Sequence, residues 1–181
     1  MRHMTTFLFV TMAAFLGNMA FGQEAAGIPE EIIAQLDSLV GIWEVEGKIG
    51  DKMQTGSYTC WWGRAADNKK ACLVGRFAYK TSEAGRNGMN LIGWNSIKKR
   101  IEDRGFDANG GNATLYWTVK SPTEYQGEFL MVENGKETKS KGTLIKKGTS
   151  QIVMESESET GEVARFIFRR AKEERRQKAR Q

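Results

Sequence analysis

From Val40 onward the chain repeats one pattern: short stretches of period-two hydrophobicity, each ended by Gly, Asn or Asp, continuing to Arg170. About ten such stretches can be counted, near 41–49, 54–62, 72–80, 89–95, 100–107, 113–120, 124–133, 137–146, 150–158 and 162–170. The breaks Asn109-Gly110-Gly111, Glu133-Asn134-Gly135-Lys136, Lys147-Gly148-Thr149 and Glu159-Thr160-Gly161-Glu162 are hairpin chemistry, because they put Gly or Asn where a tight turn needs positive φ. Each therefore joins antiparallel neighbours. No helical pattern after residue 40 is long enough for a parallel crossover, so the economical topology is a meander. A meander this long leaves open edges unless it closes. The expected fold class is all-β: an antiparallel up-and-down β-barrel of about ten strands, with a flatter sandwich as the alternative. One helix precedes it. Ile32, Ile33, Leu36 and Leu39 recur at helical spacing behind Pro29, with Glu30 and Glu31 in the first turn, which predicts a short helix over 29–39.

The start of the chain reads as an address. Arg2 and His3 lead an apolar run from Phe7 to Leu16, interrupted only by Thr11, and Ala20-Phe21-Gly22 offers small residues around a peptidase cut. Residues 1–22 are expected to be a signal peptide removed before Gln23. An apolar run of that length covers about 15 Å as a helix, half of a bilayer core, so no transmembrane span is expected after cleavage. The expected localisation is exported, periplasmic or extracellular. His3 is the single histidine of the chain, so the mature protein would lack imidazole. Ser-His-Asp and Cys-His catalysis, His-ligated zinc and a proximal-His haem fall away with it. Only carboxylates, Tyr, Lys and Arg remain for proton transfer, and no convergent pair is visible, which makes an enzyme the third reading.

Charge narrows the partners. From Arg169 the tail holds Arg169, Arg170, Lys172, Arg175, Arg176, Lys178 and Arg180 against Glu173 and Glu174. Residues 23–168 are close to neutral by comparison. The basic character thus belongs to the C-terminal tail, 171–181, which suits weak contact with anionic surfaces and gives no reason to expect nucleic-acid binding by the folded domain at 23–170.

At the first strand a resemblance emerges. A short amphipathic helix running into Gly41-Ile42-Trp43 resembles the Gly-x-Trp opening of calycin and lipocalin-like barrels. In those barrels the Trp plugs the closed end and a basic residue of the last strand packs across it. The resemblance gives Gly41 and Trp43 structural roles and implies Arg165 or Arg169 as the basic partner. Leu39-Val40-Gly41-Ile42-Trp43, Ile92-Gly93-Trp94-Asn95, Phe106-Asp107-Ala108-Asn109-Gly110-Gly111 and Trp117 are also similar, in order and spacing, to an uncharacterised group of exported bacterial lipocalin-like domains. The match spans most of 36–170. That group usually has an aromatic on the strand before the Phe-Asp turn, where this chain has Arg104. No established activity is implied.

Which residues face the barrel interior follows only partly from alternation. Ala113, Leu115, Trp117 and Val119 share one face of their strand, and Tyr125, Gly127, Phe129 and Met131 share one face of the next. Trp43, Trp62, Trp94, Trp117, Tyr116 and Phe106 supply aromatic area that either fills the barrel or lines a ligand cavity. Glu102 and Arg104 share a face with Phe106, so all three point inward or all three outward. An inward Arg104 would need Glu102 or a ligand carboxylate as partner. The candidate ligand-binding set is therefore Trp62, Arg76, Trp94, Arg104, Phe106 and Tyr116, with no catalytic or metal-ligating residue and no cofactor.

Cys60 and Cys72 lie symmetrically about residue 66. Strands folding about that midpoint would set them opposite each other, and a disulfide is expected, contributing roughly 3 kcal/mol. The register is decisive, since a slip of one residue sends the two side chains to opposite faces. Asp107-Ala108-Asn109-Gly110-Gly111-Asn112 resembles the front of a calcium loop but lacks the downstream Glu, so it reads as a turn. Glu155, Glu157 and Glu159 share one face, which reads as solvated exterior. The expected function is non-covalent binding of a small apolar or amphipathic molecule in the barrel. The alternative is an envelope-associated interaction module with a filled barrel.

Overall fold

The structure is a computed structural model describing residues 27–80 and 85–172. The proposed signal peptide and tail residues 173–181 lie outside the described residues. A helix, α1 (Glu30–Asp37), leads into ten strands: β1 (Gly41–Ile49), β2 (Lys52–Arg64), β3 (Lys70–Lys80), β4 (Gly85–Asn95) and β5 (Arg100–Asp107), followed by β6 (Asn112–Ser121), β7 (Glu124–Glu133), β8 (Lys136–Lys147), β9 (Gln151–Ser158) and β10 (Val163–Arg170). Every strand pairs antiparallel with its sequence neighbours, and β1 pairs with β10, closing the barrel. The meander expected from the turn chemistry is the observed topology, and closure removes the edges a sandwich would leave exposed.

Alternation sorts each strand into an inner and an outer face. Trp43 and Val45 of β1, Cys60 of β2, Leu73 of β3, Ile92 of β4 and Ile101 of β5 are buried, as are Trp117, Tyr125, Phe129 and Ile152 of β6, β7 and β9. Space for these large groups comes from inward glycines on neighbouring strands. A Cβ on Gly127 would strike the Trp117 and Phe129 rings, which stand edge to face with centroids 4.9 Å apart.

The cysteine pairing is corrected here. Cys60 stands opposite Gly75, and Cys72 opposite Gly63, with a bulge between Gly63 and Arg64. The β2–β3 pairing is thus displaced by an odd number of residues from the symmetric fold, which turns Cys60 into the barrel and Cys72 out of it. Both are free thiols.

Helix α1 lies across one end of the barrel. Ile32 and Leu36 are buried against the core, Leu36 completely. Polar contacts tie the helix to both sides: Trp62 Nε1 donates to Asp37 at 2.6 Å and Lys70 Nζ pairs with the same carboxylate at 2.7 Å. From the opposite side, the Tyr125 hydroxyl and Lys146 Nζ both donate to Gln35 Oε1, the latter at 2.5 Å. Burial lowers Lys146 to about 8.

Trp43 closes the same end, its Nε1 donating to the Leu39 carbonyl at 2.9 Å. The basic residue across it is Arg170, a second correction. Its guanidinium carbon sits 4.3 Å from the Trp43 ring centroid, and its nitrogens donate to the carbonyls of Val40 and Ser38 at 2.7 and 3.0 Å and of Thr149 at 2.9 Å. Arg165 and Arg169 have the other parity and point outward, pairing with Glu155 at 2.7 Å and Glu46 at 2.8 Å. Gly41 accommodates this closure. It holds φ +139°, and a Cβ there would collide with Arg170 Nη1.

Candidate functional site

Inside the barrel, next to the lid, is a cavity of about 220 Å³. Leu115, Trp117, Tyr125, Leu144, Ile152 and Met154 form one side; Tyr58, Phe77, Tyr79, Asn90, Ile92 and Asp103 form the other, with Trp43 and Leu39 at the lid. The aromatic excess noted in the sequence therefore serves both purposes weighed for it: Phe129 and Trp117 pack the core, and Trp117 with Trp43 also lines the cavity.

One polar chain runs into this apolar space. The Tyr58 hydroxyl donates to Asn90 Oδ1 at 3.3 Å, and Asn90 Nδ2 donates to Asp103 Oδ1 at 2.7 Å. The three residues come from β2, β4 and β5. They can meet across β3 because position 75 is glycine: a Cβ there would fall on Asn90 Oδ1 and the Tyr58 hydroxyl. Gly105, two residues along from Asp103 on the same face, keeps the wall beside it open.

Burial dominates the electrostatics of this group. Loss of water raises Asp103 to about 7 against the opposing pull of the Asn90 amide. The same cause raises Tyr58 and Tyr79 above the usual phenol range and pushes Cys60 up to about 12, leaving it an inert thiol near neutral pH. The inward basic residues are committed elsewhere. Arg86 pairs with Asp107 at 2.5 Å, Lys146 is held by Gln35 and Ser38, and Arg170 holds the lid.

The residues named from sequence are placed differently. Arg76, Arg104, Phe106 and Tyr116 lie on the outer face, Phe106 at 68% exposure. Glu102 shares that face, where it pairs with Arg100 at 3.0 Å and Arg104 at 3.1 Å, while the Arg100 guanidinium covers the Tyr116 ring at 3.7 Å. The shared parity of Glu102, Arg104 and Phe106 is real, and its direction is outward. Trp62 and Trp94 pack against the core at the lid end without lining the cavity. Sequence reasoning missed Tyr58, Asn90 and Asp103. The available signal was Asp103 standing between Ile101 and Gly105 on one face of β5, the face opposite Phe106.

The Asp107 loop is a turn. Asp107 Oδ1 accepts the amides of Asn109 and Gly111 at 2.9 and 2.8 Å, and its other oxygen takes Arg86. Among the described residues no group of three or more His, Cys, Asp or Glu side chains gathers as a metal site.

No family model matches the chain, and no curated protein does. Similar solved structures include a redesigned β-barrel bound to DFHBI, at 14% identity, covering 76% of this chain and 99% of that one with a TM-score of 0.42. Another is a de novo designed fluorescence-activating β-barrel, at 16% identity, 76% and 98% coverage and a TM-score of 0.43. At such values the likeness extends to a β-barrel and no further.

Proposed function

We propose that this protein is an exported, lipocalin-like barrel that binds one small, largely apolar molecule without transforming it. The cavity carries this reading. A space of about 220 Å³ bordered by aliphatic and aromatic side chains gives up packing contacts that a filled barrel would make. A chain that places Gly105 and Ala113 along this wall, beside Trp117, keeps a space that larger side chains would fill. The Arg170 guanidinium over Trp43 supports the lipocalin-like part. The leader at 1–22 supports export.

Native mass spectrometry of protein purified from its own compartment, paired with thermal melts in ethylbenzene, tests the binding. A co-purifying adduct or a rise in Tm that grows with ethylbenzene concentration is expected. Absence of both the adduct and the rise in Tm would overturn the proposal. Export is checked by N-terminal sequencing of fractionated cells, which should find mature protein beginning at Gln23.

A second reading has an observation of its own. Met89, Leu91 and Phe106 are exposed apolar residues on the outer face of β4 and β5, and Met89 pairs directly with Phe106. Such a strip fits an interaction module of the cell envelope, although the barrel is not filled as that alternative assumed.

A further inference from the structure

The polar chain gives the cavity a direction as well as a volume. Asp103 has one hydrogen-bond partner among the described residues, the Asn90 amide on Oδ1. Its carboxyl reaches a space otherwise walled by aromatic and aliphatic groups. An ionised carboxylate placed this way needs a counter-charge, and among the described residues no cation pairs with it: Arg86, Lys146 and Arg170 are held by Asp107, by Gln35 and Ser38, and by the lid carbonyls. Tyr58, Phe77, Tyr79 and Phe168 line the same cavity, and aromatic rings attract cations.

We propose that the ligand is a small apolar or aromatic amine whose ammonium group pairs with Asp103 while its hydrocarbon part lies against Leu115, Trp117 and Ile152. This rests on the binding reading above and adds the chemical class of the ligand. Asn90 is then a positioning residue, fixing one carboxylate oxygen and leaving the other for the amine. Tyr58 holds Asn90 in turn.

The test uses three probes of one shape: 2-phenylethylamine, 2-phenylethanol and ethylbenzene, titrated calorimetrically at pH 8 into the wild-type protein and into Asp103→Asn. Quenching of Trp43 and Trp117, both in the cavity wall, gives an independent readout. The amine is expected to bind at least tenfold more tightly than either neutral probe. Asp103→Asn is expected to erase that preference, so that the amine binds no more tightly than the alcohol.

Should Asp103→Asn not fold, a pH series on the wild type decides. The titratable groups facing Asp103 are Tyr58 and Cys60 of β2 and Tyr79 of β3; β6 presents only Ala113 and Leu115, and the Arg86–Asp107 pair stays charged. None of these changes charge between pH 8 and 5. Lys146, at the lid over the Tyr125 ring, does gain charge there. The series is therefore run in parallel on Lys146→Met, in which the amine preference should still fall as Asp103 takes a proton. An amine that binds no better than ethylbenzene, or no better than the alcohol, overturns the amine assignment while the cavity reading stands. A preference that survives in Asp103→Asn overturns it equally. If none of the three probes binds, both fail.

Discussion

Along β6 to β9 the cavity wall is Ala113, Leu115, Trp117, Tyr125, Leu144, Ile152 and Met154; along β2 to β5 it holds Tyr58, Asn90 and Asp103 among Phe77, Tyr79 and Ile92. The first wall contributes shape, and the Tyr125 hydroxyl turns away from it to the lid. The second contributes a carboxyl held by a relay across three strands. Truncating the first removes buried apolar surface and loosens the fold. Neutralising the second removes a charge that burial disfavours, so the two walls should respond to mutation with opposite signs.

The largest effect should come from the apolar wall. Trp117→Ala removes a buried ring packed on Gly127 and Phe129 and is expected to lower stability by about 3–5 kcal/mol, read by urea denaturation. The polar wall should answer in the other direction. Asp103 titrates near 3.8 in the unfolded chain and at about 7 in the fold. Below pH 4 both states are protonated and the group is neutral to stability. Between pH 4 and 7 the unfolded chain releases a proton that the fold retains, so stability falls as pH rises through that window and levels off above it. Asp103→Asn should flatten that slope and gain on the order of 4 kcal/mol at pH 8, with little change at pH 4. Equal and unchanged pH slopes in both proteins would break the contrast between the walls.

A smaller loss is expected from Gly75→Ala, which drives a methyl group into the Tyr58 hydroxyl and the Asn90 amide. About 1–3 kcal/mol of destabilisation should accompany it, together with loss of amine preference, while ethylbenzene still binds. The smallest effect belongs outside the barrel. Phe106→Ala, at an exposed site, should stay within about 0.5 kcal/mol of wild type and leave probe binding unchanged, which checks that the outer face of β5 takes no part in the site.

Strand β5 shows how much of this was legible. Its limits, 100–107, were read from the sequence and match Arg100–Asp107. Its orientation was not legible, because both faces are mixed: Glu102, Arg104 and Phe106 on one, Ile101, Asp103 and Gly105 on the other. A strand with a wholly apolar face, such as β6 with Leu115, Trp117 and Val119, declares its inside. A strand that carries a charge and an aromatic on one face and a buried acid on the other does not, and the candidate site was assigned to the wrong side of it.

Local chemistry determined what the sequence could decide alone: ten strands, the helix before them and the antiparallel meander, since turn residues and alternation act over a few residues. Tertiary structure decided the rest. The odd displacement of β3 against β2 separated Cys60 from Cys72, the parity of β10 chose Arg170 over Arg165 and Arg169, and barrel closure brought Tyr58, Asn90 and Asp103 together. Each depends on which face of a strand meets the interior, and a period of two leaves that choice open until neighbouring strands, and the space their glycines provide, impose it.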